Sequence, residues 1–435
     1  MGNHDPYTVL PQETPPVPAI PTRPTRRWLR VLAWALPTVV LLVGALGLGT
    51  YLYVLSHISL SSGETVPRKR ADVYAWPLRM VDRLNVLIIG VDVTLDSKRR
   101  VVNVARADTL ALVTFDPERE RIAVMSIPRD TRAQIPGHGE TKVNASYAYG
   151  GPALTIKTVE QLAGVKIDAY VKLGPESFAK FIDAIGGIDV DVEKDMKYTD
   201  SWAGFTINLK KGLQHLNGQQ ATGYIRFRHD EMGDIGRVER QRKVLVALLK
   251  KLKDPSTVMA SPQLLQAFAQ HTQTNLTSYE LMALGIFALR TRDHPMEMQT
   301  LPGTFAPSYW EPDGPKVRAL VADVFYGVTL KDLAGLPVEI INGSGNAAVG
   351  QRVAARLTAM GFRSVRVRTA QTTVQVTTIV DRTGRKGLGR MVAVALGRAI
   401  VTREPSTGGP SITVLVARDA ARTFSGSFPL LGTPE

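Results

Sequence analysis

From Val31 to Leu55 the chain carries no charge, and Leu, Val, Ala and Gly dominate the run. No other feature constrains the fold as much. A helix of that length spans about 37 Å, more than the roughly 30 Å hydrocarbon core of a bilayer. A cleaved signal peptide is the alternative, but its apolar stretch is shorter, about 7–15 residues, and ends at a small-residue cleavage site. Arg23, Arg26, Arg27 and Arg30 crowd the N-terminal flank, whereas Arg68, Lys69 and Arg70 lie farther off on the other side. The positive-inside bias then predicts a single-pass cell-membrane protein with a cytoplasmic N-terminus and its main domains outside the cytoplasm.

That topology divides the chain. Residues 1–30 read as a Pro-rich cytoplasmic tail, 31–55 as the transmembrane helix and 56–83 as an extracytoplasmic stalk. The 435 residues exceed the usual single-domain size, so two soluble domains are expected, at 84–330 and 336–420, with a tail at 421–435. The boundary is set by Gly335-Leu336-Pro337, where the hydrophobic pattern restarts. The net charge of +14 favours polyanionic or anionic-lipid partners. Cysteine is absent, which excludes disulfides, thiolate metal sites and cysteine nucleophiles. No Gly-Lys dipeptide, GxSxG or HExxH occurs, so P-loop, serine-hydrolase and zincin chemistries lack their signatures.

Three apolar, β-branched runs open the first domain: Asn85–Ile89, Thr109–Phe115 and Ile122–Ile127. Each ends at Gly or Pro, or at Asp-Pro, as buried strands do. The short segment between the second and third predicts a hairpin. If the first two strands are antiparallel neighbours as well, Asp92, Arg106, Asp108, Arg129 and Asp130 all reach one sheet edge. Ligands of α/β proteins favour such strand ends. Amphipathic helices are expected at Ala153–Ala163 and Pro175–Gly186, either covering the sheet or lining an apolar ligand tunnel. Tyr224-Ile225-Arg226-Phe227-Arg228 reads as a strand with Tyr224, Arg226 and Arg228 on one face. Arg237, Arg240 and Gln241 stand at i, i+3 and i+4 of the helix that follows. Registered arginines suit phosphate oxygens, because each planar fork donates two parallel hydrogen bonds. Salt bridges to Glu231, Asp234 or Glu239 are the structural alternative.

Together these segments resemble the LytR–CpsA–Psr (LCP) family of bacterial cell-envelope phosphotransferases. The resemblance is carried by Leu87-Ile88-Ile89-Gly90-Val91-Asp92, Arg106-Ala107-Asp108-Thr109, Ile127-Pro128-Arg129-Asp130 and Lys142-Val143-Asn144-Ala145. Gly186-Gly187-Ile188, Tyr224–Arg228 and Gly236-Arg237-Val238-Glu239-Arg240-Gln241 extend it, and fainter similarity runs to Leu301-Pro302-Gly303. It implies an α/β/α sandwich with an apolar pocket for a polyprenyl chain. It also implies transfer of a glycopolymer phosphate from a polyprenyl-pyrophosphate carrier to peptidoglycan, with Mg2+ or another divalent cation such as Mn2+. On that resemblance Asp92 and Asp108 would meet the metal. Arg129, Asp130, Arg226 and Arg228 would be catalytic, and Arg106, Lys142, Arg237, Arg240 and Gln241 would hold pyrophosphate. Which carboxylate, Asp92 or Asp130, would accept the hydroxyl proton stays open.

The C-terminal part, from Val338-Glu339-Ile340-Ile341-Asn342-Gly343-Ser344-Gly345 onward, resembles the small α/β LytR C-terminal domain. The alternatives are a non-catalytic polyprenyl-phosphate receptor and a membrane-bound transcriptional regulator. The regulator would need a cytoplasmic domain, and no helix-turn-helix pattern is evident, so no nucleic-acid partner is expected.

Overall fold

In the computed structural model the described residues are 74–75, 79–92, 106–200, 205–227, 233–254, 272–385, 387–397, 399–404 and 409–423. The expected N-terminal tail, membrane span, most of the stalk and the last residues of the C-terminal tail lie outside them. Two short strands, β1 (Tyr74–Ala75) and β2 (Arg79–Met80), pair antiparallel ahead of β3 (Leu84–Asp92), β4 (Arg106–Asp116) and β5 (Arg121–Ile127). The three expected strands are there; β4 runs antiparallel to β5, as their short connection predicts, and β3 runs antiparallel to β4, which was the condition for the shared edge.

The hairpin β6 (Arg132–Ile135) and β7 (Gly139–Lys142) leads into helix α1 (Ala145–Ala163), then β8 (Ala169–Leu173) and α2 (Pro175–Ala184). Helix α1 begins earlier than its apolar spacing suggested and is kinked at Gly150 and Gly151, whose dihedrals are not helical. Next come β9 (Ile188–Val192), β10 (Met196–Asp200), β11 (Phe205–Leu209), β12 (Gly212–Leu216), α3 (Gly218–Arg226) and α4 (Gly233–Leu252). The domain closes with β13 (Gln273–Thr274), α5 (Ser278–Arg290), β14 (Glu297–Thr300), the hairpin β15 (Gly303–Ala306) and β16 (Tyr309–Pro312), and α6 (Gly314–Tyr326).

The central sheet is six-stranded, in the order β13-β8-β3-β4-β5-β14, with parallel β3–β8 and β5–β14 pairs. Alternating residues fill both faces. Leu87, Ile89 and Leu112 pack with Ile156, Val159 and Leu162 of α1 and Val317 and Val321 of α6. Val86, Ala111 and Val124 pack with Phe181 and Ile182 of α2, Tyr224 of α3, Leu248 of α4 and Phe287 of α5. Burying both faces explains why these strands read as continuous apolar runs.

Helix α7 (Leu330–Gly335) links to β17 (Pro337–Asn342), α8 (Ala347–Ala359), β18 (Ser364–Thr369), β19 (Thr378–Asp381), α9 (Leu388–Ala395), β20 (Ile400–Arg403), β21 (Ile412–Val416) and α10 (Arg418–Thr423). Their sheet order is β18-β17-β21-β19-β20. Core residues of this sheet and its helices, among them Ile340, Val353, Leu357 and Met391, join the cluster containing Val317 and Phe325. The contact is also polar: Arg390 donates to the Arg83 carbonyl (2.9 Å) and pairs with Asp82 (3.0 Å). A cleft of about 1160 Å3 opens here, lined by Ile156, Lys157, Val317, Arg318, Met391 and Ile400 among others.

Candidate active site at the ends of the central strands

The pairing of β3 with β4 breaks register once. Gly90 faces Thr109 and Val91 faces Ala107, which leaves Asp108 outside the ladder as a bulged residue. A bulge re-aims a side chain without ending the strand. The strands close tightly here because a Cβ on Gly90 would lie 2.8 Å from the Cβ of Thr109. Asp108 thus emerges at the edge where β5 delivers Arg129 and Asp130. Arg129 donates to Asp108 (3.1 Å) and to Asp130 (3.4 Å), and Lys142 pairs with Asp130 from the other side (2.9 Å). The three members with the lowest exposure are Asp130 at 15%, Arg129 at 20% and Asp108 at 23%.

The backbone of this corner is fixed. The hydroxyl of Thr131 donates to the Pro128 carbonyl (2.5 Å), and Asn144 N donates to the Arg129 carbonyl (3.2 Å). Val143 N donates to the Thr131 carbonyl (2.8 Å) and Trp310 N to the Asp130 carbonyl (2.9 Å). The Lys142–Asn144 segment is therefore docked on the Arg129–Thr131 turn through main-chain bonds, which orders the side chains between them. Beyond Lys142, Arg132 lies over the Tyr309 ring (3.9 Å) and pairs with Glu311 (2.8 Å) and Glu140 (3.0 Å). Those hydrogen bonds, Glu311 first and then Glu140, hold Arg132 protonated beyond its ordinary range. Sequence reading missed Arg132, Tyr309 and Glu311. An aromatic pair of β-length runs around Pro307-Ser308 was the available hairpin signal.

The remaining expected residues fall differently. Arg106 opens β4, exposed, with its backbone facing that of Asp92. The side chains of Asp92 and Arg237, and all of Arg228, lie outside the described residues. Tyr224–Phe227 is not a strand but the last turn and C-cap of α3. Asn217 and Gln220 cap that helix reciprocally, a capping box whose spacing was present in the sequence. The apparent alternation has another cause. Tyr224 is fully buried with its hydroxyl donating to Glu193 (2.7 Å), and Phe227 is buried too. Arg226 sits half-buried at the end of the helix.

Arg240, expected to bind pyrophosphate, is 1% exposed. It donates to the Phe227 carbonyl (2.6 Å) and to Glu193 (3.2 Å), so its fork holds the chain that leaves α3. Gln241 lies one residue on, half-buried in α4. Burial alone would push the Glu193 carboxyl up, but hydrogen bonds from Tyr224, Lys243 and Arg240 hold it below its usual range.

A family model described as "LytR_cpsA_psr family" matches residues 55–324, more than half of the chain. The chain belongs to the LytR–CpsA–Psr family. A second model, "LytR cell envelope-related transcriptional attenuator", matches residues 335–419, so this member carries the LytR C-terminal domain as well. The regulatory protein MsrR of Staphylococcus aureus is 32% identical over 53% of this chain and 70% of that protein. The polyisoprenyl-teichoic acid–peptidoglycan teichoic acid transferase TagU of Halalkalibacterium halodurans is 35% identical over 54% of this chain and 76% of its own. The crystal structure of Bacillus subtilis TagV is 31% identical, with a TM-score of 0.48 over 56% of this chain and 96% of that one.

In this LCP protein the cluster offers what phosphoryl chemistry needs from a protein. It has fixed cations beside fixed carboxylates at a partly open strand end. Asp108 gives one lone pair to Arg129 and keeps others, and the backbone of Asp92 ends at the same edge. Among the described residues no three carboxylate or imidazole groups come together. A hard cation held here would therefore complete its shell with donor oxygens and water, as magnesium does.

Proposed function

We propose that this protein transfers a glycopolymer phosphate from a polyprenyl-pyrophosphate carrier to peptidoglycan, outside the cytoplasm and anchored by residues 31–55. The observation that carries the reading is the Asp108–Arg129–Asp130–Lys142 cluster at one strand end. Its support is membership of a family in which a 35% identical relative is named a peptidoglycan teichoic acid transferase. A new bond forms between an acceptor hydroxyl oxygen and the sugar-linked phosphorus. The bridging P–O bond breaks, and polyprenyl phosphate leaves. Arg129 and Lys142 neutralise oxygens that gain charge in the transition state, and the family resemblance assigns Arg106, Arg226, Arg228, Arg237 and Gln241 to the same task. A carboxylate of the cluster takes the hydroxyl proton. Asp92 and Asp108 would hold magnesium or manganese, whose chemistry is to draw charge from the phosphate oxygens.

The test is to incubate the full chain in detergent with a lipid-linked anionic glycopolymer, peptidoglycan and magnesium. A mass-detected conjugate that disappears in excess chelator is expected. Conjugate formed at full rate in chelator refutes the metal, and no conjugate under any condition refutes the transfer. The naming of MsrR as a regulatory protein favours a second, regulatory reading. Lipid-linked donor bound without turnover would leave that reading, or a receptor role, standing.

A further inference from the structure

We propose that the β15–β16 hairpin is a separate acceptor-side binding site, taking an uncharged chain of sugar rings with Phe305 as the stacking surface. The proposal rests on the transferase reading only for the identity of its ligand, the glycan strand of peptidoglycan.

Phe305 is 54% exposed, one of the largest apolar side chains left open among the described residues. A lone exposed ring needs no explanation. Its surroundings make it a candidate site. Phe305 faces Trp310 across the hairpin, with ring centroids 5.4 Å apart at 85°. Trp310 is itself pinned, its indole Nε1 donating to the Leu301 carbonyl (3.0 Å). Gly303 permits this, since a Cβ there would lie 2.5 Å from that nitrogen. The exposed phenyl thus packs against a ring that is itself fixed before any ligand arrives, and preorganisation of that kind lowers the entropy cost of binding.

The charge beside it selects the ligand. Arg132 is engaged by Glu140 and Glu311, and Lys142, 5.7 Å from the Tyr309 ring, by Asp130, so two positive charges meet three negative ones in a chain of +14. That carboxylate excess disfavours a phosphate polymer on the hairpin. Rings with weakly positive C–H faces pack on aromatic faces, whose electrostatic surface is negative. Hydroxyl groups donate to carboxylates, and Glu140 and Glu311 keep 55% and 35% of their side chains exposed. Aromatic surface plus carboxylate acceptors matches a neutral sugar chain.

The hairpin also borders the chemistry. Trp310 N donates to the Asp130 carbonyl, and Thr131 bridges to Trp310. A sugar strand stacked on Phe305, the cross-strand partner of Trp310, would lie on the hairpin that is bonded to the Asp130 main chain. The cluster around Asp130 is where an acceptor hydroxyl has to arrive.

The probe is a tetrasaccharide of N-acetylglucosamine titrated into the full chain in detergent, read by ligand-observed NMR and calorimetry. The native protein should bind it. Phe305→Ala should weaken binding at least tenfold with an unchanged melting temperature, and Phe305→Trp should retain it. In the transfer assay Phe305→Ala should raise the acceptor KM and leave the donor KM alone. No binding by the native protein overturns the proposal, and so does binding within twofold in Phe305→Ala. If transfer is never detected while tetrasaccharide binding depends on Phe305, the platform stands and the transferase reading falls. If transfer occurs with an acceptor KM indifferent to Phe305, the reverse holds.

Discussion

Arg129 touches both described carboxylates of the cluster, so it is the residue whose loss separates chemistry from folding. Its side chain is 20% exposed, and removing it leaves no deeply buried charge behind. Arg129→Ala should cost a factor of about 10²–10³ in transfer rate, in the range of removing one preorganised donor to a transition state. Lys at that position should recover little, since a point charge cannot bond two oxygens in parallel. The check is the transfer rate beside the melting temperature. A fall in both together would assign Arg129 to structure. Arg240 should behave oppositely. Truncating a fork buried at 1% exposure removes its bonds to Glu193 and the Phe227 carbonyl, while Glu193 keeps Tyr224 and Lys243. About 1–3 kcal/mol of stability is at stake, the range for losing buried hydrogen bonds to a charged group. Urea unfolding of Arg240→Ala measures it, and an unshifted midpoint would contradict the placement.

Glu193 adds a pH dependence at the same scale. Its folded pKa lies below the ordinary carboxylate value, so between the two values the unfolded chain binds the extra proton. Its contribution is present above the ordinary carboxylate pKa and fades as pH falls through the depressed one. Glu193→Gln should therefore flatten the acid limb of stability against pH, and thermal melts from neutral to strongly acid pH would show it. An unaltered slope would remove Glu193 from the account.

At the scale of elements, the Tyr224–Arg228 segment is the instructive case. Period-two alternation suggested a strand, but the local competitor was stronger. The Asn217–Gln220 capping box starts a helix at Gly218, and Arg240 then catches its end at Phe227. Asn217→Ala removes the acceptor for Gln220 N and should cost about 1 kcal/mol. If α3 carries Arg226 into the site as proposed, the transfer rate should fall as well. A stability loss with full activity would leave α3 as scaffold alone. The strand hairpin β4–β5 was readable from its apolar runs. The bulge at Asp108 was not, because register is a property of two strands.

For the whole molecule, the two family matches meet in one continuous apolar cluster and a polar seam. Arg83 is at its centre. It pairs with Asp116 (2.6 Å), both nearly buried, and also donates to the Phe325 carbonyl. Arg390 of the C-terminal domain donates to the carbonyl of Arg83 itself. The two domains should unfold in a single calorimetric transition, and Arg390→Ala should lower its temperature. Two separate transitions in the native protein would show that the seam contributes little coupling.

Much was determined by the sequence alone. The three leading strands and the β4–β5 hairpin follow from run lengths and turn residues, and the meeting of Asp108, Arg129 and Asp130 at one edge followed once β3 was taken as the antiparallel neighbour of β4. The family motifs fall on those same strand ends. What the tertiary structure decided is where a side chain's partner comes from another element. Arg240 was drawn as a ligand contact because its spacing suits phosphate, yet Glu193 lies 47 positions away and reaches it only after folding. The Tyr309–Glu311 strand lies beside Asp130 for the same reason, joined by main-chain bonds across 180 positions. Local pattern fixes what each segment can form. Which cations are left to face a ligand is set by long-range pairing, which no window along the chain contains.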